Sequence, residues 1–306
     1  MCNADSFLVI LAIRYSCTVV VRVFRNKKMS ISKKHHFIPA CYLKGFTNGG
    51  KRTSLFWAFP INKPGKKHGA SPNDSCVKNN YYKVENINDS LLIENWYGSV
   101  VEPKIGDFLK QVDELNEIDS QNEGLAWLLA SLLLRNPQHR EMIESPLIHA
   151  ERVVKSMQED YKEKGINLHI EWISYSKDDI IEYEIQQTKA LSKYLPLYNY
   201  CILKAPDGIN VITSDAPMIL ANSLNKKIFG FESKGTMIIA PLNKSTYIIG
   251  SKEIKLPALR KGTIWEIANL NTMIMASANE KIYSNNDHIY ILDNEDDVIK
   301  YPNHTE

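Results

Sequence analysis

The sequence predicts an α+β fold, with a mainly helical first two-thirds packed on a mostly antiparallel sheet from the last third. Two observations carry this. Up to Leu195 the longer apolar patterns recur at three- and four-residue spacing, the period of a helix face. From Tyr200 onward apolar residues come in short runs divided by turn residues such as Asp207-Gly208 and Asn243-Lys244, the pattern of short strands. There is no internal repeat, and 306 residues with 44% hydrophobic and 24% charged content are enough for a sizeable core.

At the N-terminus, Phe7 to Ile13 is apolar, Arg14 interrupts it, and Cys17 to Val21 resumes it. The run falls short of the roughly 20 apolar residues that span a bilayer. Asp5 ahead of it and the lack of a small-residue cleavage site argue against a secretory signal, so no membrane association is expected. Residues 1–28 are read as an N-terminal extension ahead of Met29, although Thr18 to Phe24 alternates well enough for a strand. Residues 29–295 are expected to form a single domain, and 296–306 a flexible tail.

The elements follow in order. Ser54 to Phe59 is an apolar and aromatic strand ended by Pro60. Lys63 to Gly69 is a loop without the spacing of a phosphate-binding loop. Ser90 is placed to cap a helix over Leu91 to Val101, and its pattern resumes after Pro103 at Ile105, Phe108 and Val112. Glu123 to Arg135 is apolar almost all round, which predicts a central buried helix. Asn136 and Pro137 suit the cap and first position of the next helix, and Asp178 to Leu195 is another, closed by Pro196. Strands are expected at Tyr200 to Leu203, Asn210 to Thr213, Thr236 to Ala240, Tyr247 to Gly250 and Ile289 to Leu292, with a helix over Ile264 to Ala278.

Composition excludes some classes. Lys+Arg 37 against Asp+Glu 35 leaves a formal charge of +2, too small to draw nucleic acid or acidic membrane globally. Arg22 to Lys34 carries six basic residues, which suit either a solvated linker or a local phosphate contact. Five scattered cysteines form neither a disulfide framework nor a zinc pattern, so a reducing cytosol is expected, with Cys41 and Cys201 as packing residues.

The chemistry-bearing residues are few. His35 and His36 precede Pro39, and Tyr42, Leu43 and Phe46 share one helical face behind them. In an extended segment adjacent histidines point to opposite sides, so they do not chelate one metal together. One imidazole near a helix start stays neutral and able to accept a proton, or else simply caps the backbone. Asp215, in Ser214-Asp215-Ala216-Pro217 after a strand, can orient a histidine or bind a metal, or else close an Asx turn. Arg135 ends the buried helix and suits either an anion or the helix's last carbonyls. Glu94 and Glu102 lie about 80° apart around an ideal helix and about 12 Å along it, able to border one pocket but too separated for a carboxylate dyad. Asn271 lies in an apolar helix, where a buried amide bonding backbone is the ordinary reading.

In this order the motifs resemble the family called domain of unknown function 4238. They are His35 to Phe46, Glu94 and Glu102, Arg-x-Pro at Arg135 to Pro137, Ser-Asp-x-Pro at Ser214 to Pro217, Pro241-Leu242, and Asn271 ahead of Ile282-Tyr283-Ser284. The resemblance covers roughly Lys34 to Ser284. Ala40 stands where the family usually has glutamine. No reaction is implied, but the resemblance implies that His36, Arg135 and Asp215 meet in space.

The resulting expectation is a cytosolic hydrolase acting on a phosphodiester, with His36 as base or acid, Arg135 as anion clamp and Asp215 as orienting carboxylate or metal ligand. His35, Glu94, Glu102, Ser214 and Asn271 are candidate pocket residues. Nucleic acid or another phosphorylated ligand is the expected partner, and no cofactor or metal is identified by the sequence. The alternative is a binding protein whose polar residues form a structural hydrogen-bond network.

Overall fold

Five-stranded and four-stranded antiparallel-rich sheets, with helices on them, organise the described residues of this computed structural model, which are 34–84, 92–167, 170 and 175–302. These residues belong to one compact unit. The expected extension 1–28 and the Ser90 cap lie outside the described residues.

The chain starts with β1 (Lys34–His36), a four-residue helix α1 (Ala40–Leu43) and a 3-10 turn over Lys44–Phe46, so the helix after Pro39 is much shorter than its apolar spacing suggests. β2 (Phe56–Pro60), β3 (His68–Ala70) and β4 (Val77–Asn79) follow. Then come α2 (Leu92–Trp96), a π-helical turn over Tyr97–Val101, and α3 (Glu102–Gln111). α4 (Glu123–Leu134), α5 (Pro137–Glu163) and α6 (Lys177–Tyr194) complete the helical part. Asn136 caps α5 through Gln138 N–H at 2.9 Å with Pro137 in its first turn, as its sequence predicts. Ser176 and Asp179 form a capping box at α6.

The last third supplies β5 (Asn199–Lys204), β6 (Thr213–Ser214), β7 (Ile219–Asn222), β8 (Thr236–Asn243), β9 (Thr246–Ser251), β10 (Leu259–Lys261), α7 (Ile264–Ser277), β11 (Lys281–Ser284), β12 (Ile289–Leu292) and β13 (Val298–Tyr301). One sheet has the order β10-β5-β9-β8-β7, and only its β10–β5 pairing is parallel. The other has the order β3-β2-β11-β6. It joins strands from the first and last thirds, so the sheet is not confined to the last third. Residues 298–301 are a strand paired with β12 rather than part of the expected tail, because Ile299 and Tyr301 have apolar surface of their own to place against the core.

The stretch after His36 ties the two sheets together. Tyr42 is fully buried, donates to Pro241 O at 3.0 Å on β8 and shares a 2.8 Å hydrogen bond with Thr213 on β6. Leu43 and Phe46 are fully buried beside it. α4 is enclosed as its sequence predicts, and it packs so tightly on α3 that a β-carbon at Gly124 would collide with Lys104 O and Phe108. That close approach positions Glu102 and Arg135 opposite each other.

Candidate functional site

β1 is extended, so its two histidines point to opposite sides, as expected. His35 faces the interior, fully buried, with Nδ1 accepting from Tyr82 N–H at 2.9 Å and its ring stacked on Tyr82. It is a packing residue. His36 faces the other way and is half-buried, with Nε2 3.1 Å from Pro72 O. A carbonyl oxygen only accepts, so Nε2 carries the proton and, in the neutral ring, Nδ1 is the acceptor. Nδ1 makes no hydrogen bond among the described residues. Burial lowers the His36 pKa below its ordinary value; the Pro72 bond and the Glu102 charge oppose this, and Arg135 and Arg52 add to it. The ring is therefore neutral at pH 7.

Arg135 follows α4, and its guanidinium crosses to its neighbours instead of covering its own helix end. It is completely buried. Nη2 donates to His36 O at 2.6 Å, Nε donates to Tyr82 OH at 3.1 Å, and the plane lies 3.9 Å from the Tyr97 ring centre. Nη1 has Glu102 Oε1 at 3.6 Å and no hydrogen-bond partner. The other Glu102 oxygen faces the half-exposed Arg52 at 3.7 Å. Glu102 thus stands between a buried and a solvent-facing guanidinium, beside His36.

A π turn separates Glu94 from Glu102. Pro103 has no N–H to offer the carbonyl four residues back, so the ladder slips to the wider i→i+5 step over Tyr97–Val101. Glu94 feels the charges of both Arg135 and Glu102. Glu94 Oε2 is buried without a hydrogen-bond partner, and burial raises its pKa, with Arg135 opposing and Glu102 adding.

Asp215 is not part of this group. Its two oxygens accept from the backbone N–H groups of Asn279 at 2.9 Å and Glu280 at 2.7 Å, and its carbonyl accepts from Asn136 Nδ2 at 3.2 Å. Burial raises its pKa against the pull of those N–H groups. Ser214 Oγ accepts from Ala216 N–H at 3.1 Å. The Ser-Asp-Ala-Pro motif fastens the approach to β11: Ser214 closes a local turn on Ala216, while the Asp215 carboxylate bonds backbone 64 and 65 residues away and does not close the Asx turn that the sequence also allowed. Asp215 lines a cleft of about 280 Å³ with Lys78, Gln138 and Lys281, and neither His36 nor Arg135 lines it. The implied meeting of His36, Arg135 and Asp215 is therefore met by the first two, with Glu102 standing where Asp215 was expected. Asn271 is likewise structural: it accepts from Ile212 N–H and Tyr247 OH and donates to Asn210 O and Tyr290 O.

Three residues beside this site were not found from sequence. Arg140 donates to Glu184 Oε2 from Nε at 3.1 Å and Nη2 at 2.5 Å and to Tyr81 O at 3.0 Å, all buried. Glu184 lies four residues after Ile180 and three after Ile181, on the apolar face of α6, and a carboxylate there is itself a signal of a buried partner. Arg52, in a loop, carries no comparable signal. Cys41, beside Glu102, has its thiol pushed by burial up to about 11, which fits packing and not a nucleophile. Among the described residues no three His, Cys, Asp or Glu side chains are grouped to hold a metal, and no helix is long and apolar enough to cross a membrane.

His139 shares with His36 a pKa lowered by burial. Unfolded, such a ring takes up a proton near 6.5, and folded only at lower pH, so stability is lost as pH falls through that window. A His139→Leu protein is expected to lose less stability than the parent between about pH 7.5 and 5. Equal shifts of the urea midpoint in the two proteins would contradict this.

Comparison with known families finds one match. A family model described as "Protein of unknown function (DUF4238)" matches residues 34–288, from β1 to the loop before β12. No curated protein and no solved structure matches. With the match spanning β1, the π turn, Arg135 and the Ser-Asp-x-Pro turn, the chain belongs to this family of proteins of unknown function.

Proposed function

We propose that this protein is a hydrolase acting on a phosphodiester, in nucleic acid or another phosphorylated ligand, at the surface formed by His36, Glu102 and Arg52. The observation that carries this is a neutral imidazole, oriented by Pro72 O with Nδ1 unoccupied, beside two guanidinium groups. Nδ1 takes a proton from the attacking water, a role for which a neutral ring at pH 7 is suited. Arg52, half-exposed, contacts the phosphoryl oxygens, and Arg135 behind it supplies fixed positive charge in a low-dielectric setting. Glu102 keeps both guanidiniums aimed at the site. Cys41, Cys76 and Cys201 are buried free thiols, which fits a reducing, cytosolic setting.

A second reading has its own support. Arg135 is completely buried and the Arg140–Glu184 pair nearly so, which is what a structural network binding helices to β1 requires. The readings separate on His36→Asn. In the hydrolase, hydrolysis of bis(p-nitrophenyl) phosphate falls by about 10²–10⁴-fold while the thermal midpoint is kept. Absence of hydrolysis by the parent protein on that ester and on single-stranded RNA, with and without divalent cations, would leave the network reading.

A further inference from the structure

The cleft of about 280 Å³ beside Asp215, with neither His36 nor Arg135 in its walls, has no part in the reading above. β4 contributes Lys78 to it, the start of α5 contributes Gln138 and Glu141, and the segment entering β11 contributes Glu280 and Lys281. Gln138 and Glu141 are three residues apart and so share one face of their helix. Asp215 is 4% exposed and is fixed in place by the backbone N–H groups of Asn279 and Glu280 at 2.9 and 2.7 Å, and no cation among the described residues pairs with it. The side chains of Lys78, Glu141, Glu280 and Lys281 likewise make no ion pair or hydrogen bond among the described residues. Asp74, at the rim, is already held by Lys34 and Ser71.

The cleft therefore holds three carboxylates without a counter-ion, Glu141, Asp215 and Glu280, against two free ammonium groups, Lys78 and Lys281. Opposite charges that share one cleft without pairing are open to a ligand that carries both signs. Phe37, Val77, Pro137 and Tyr283 add apolar surface to the same walls, on which a methylene stem can lie. The volume is just under that of pockets for drug-sized ligands, so the occupant is a small molecule. We propose that this cleft binds a basic amino acid. Its carboxylate lies on Lys78 and Lys281, its cationic groups on Glu141 and Glu280, and its methylenes on the apolar wall, with Asp215 as the fixed negative charge behind them. The excess of one negative charge in the cleft matches the net positive charge of such a ligand. A phosphate would meet the three carboxylates, and a plain diamine would leave both lysines unpaired. This site does not rest on the hydrolase reading.

Calorimetry of the full chain with free lysine and free arginine tests this. At least one of the two is expected to bind saturably. Cadaverine, which lacks the carboxylate of lysine, and norleucine, which lacks its side-chain ammonium, are each expected to bind about tenfold more weakly or worse, the loss of a charge-assisted hydrogen bond. The double variant Lys78→Gln with Lys281→Gln and the double variant Glu141→Gln with Glu280→Gln are each expected to weaken amino-acid binding by a similar factor. None of these four side chains has a partner to lose, so the thermal midpoint without ligand is expected to stay within about 2 °C of the parent. His36→Asn is expected to bind the amino acid as the parent does, whether or not the parent hydrolyses phosphodiesters. The proposal is overturned if neither amino acid binds, if cadaverine or norleucine binds as tightly as lysine and arginine, if either double variant keeps the parent's affinity, or if His36→Asn abolishes binding.

Discussion

Replacing Arg140 by methionine is expected to destabilise the protein by about 3–5 kcal/mol, because it strands Glu184 as an uncompensated charge in the interior. Glu184 is 1% exposed at its side chain and accepts two hydrogen bonds from Arg140. The Tyr81 carbonyl loses its Arg140 donor at the same time, and the Tyr81 ring loses the guanidinium 3.6 Å from its centre. Glu184→Leu alone leaves the opposite charge unpaired and is expected to cost a similar amount. The informative protein is the double variant. Taking both charges out removes the desolvation of both, so Arg140→Met with Glu184→Leu is expected to be more stable than either single change. Denaturant unfolding of the four proteins measures the coupling. Additive losses would mean that the pair is not coupled through its charges.

Asn271→Leu is expected to be the second most damaging change, at no less than about 3 kcal/mol, since each buried polar group left unpaired costs about 1–3 kcal/mol. The Asn271 amide uses its oxygen for Ile212 N–H at 3.2 Å and Tyr247 OH at 2.8 Å, and its nitrogen for Asn210 O at 3.0 Å and Tyr290 O at 2.9 Å. These partners come from the lead-in to β6, from β9 and from β12, so one side chain holds α7 to three strand segments. Leucine fills a similar volume and satisfies none of them. A shift of the thermal midpoint under about 2 °C would be incompatible with this role, given that about 1 kcal/mol moves the midpoint of a domain of this size by roughly 2–4 °C. A fall in activity without loss of stability would return Asn271 to the site.

The polar side chains differ in what folding leaves them. Asn271 uses its oxygen and nitrogen on four protein partners, and each Asp215 oxygen accepts from a backbone N–H. Glu94 and Arg135 are not saturated, and His36 has one nitrogen bound and one open. The polar residues in the sequence motifs therefore divide into fasteners and a site according to what remains unsatisfied after folding. Motif membership does not make that division. Ser-Asp-Ala-Pro holds a turn, while Arg52, outside the motifs, reaches the site.

Local chemistry made most elements readable in the sequence. The cap and proline at Asn136-Pro137, the all-round apolar helix at Glu123 to Arg135, and the β-rich runs at Thr236 and Tyr247 each announce their own structure within a few residues. The opposed directions of His35 and His36 follow from the two-residue period of a strand alone. Where the reading ran long, as in the helix after Pro39, apolar spacing was present without enough residues to propagate hydrogen bonds before Gly45 approached Asn243.

What the sequence by itself determined is the α+β class, most of its elements and the side-chain chemistry available: one usable imidazole, an arginine at a buried helix end, and carboxylates on a proline-interrupted helix. Only the tertiary structure decided which of these meet. Sheet pairing brings β2 beside β11 across most of the chain, and packing sets Glu102 at ion-pair distance from both Arg135 and Arg52, effects that no local window contains. It also decided that Asp215 faces backbone N–H groups and Glu102 faces His36. A carboxylate's role depends on the donors that packing places within about 3 Å of it, and those donors come from segments distant in sequence.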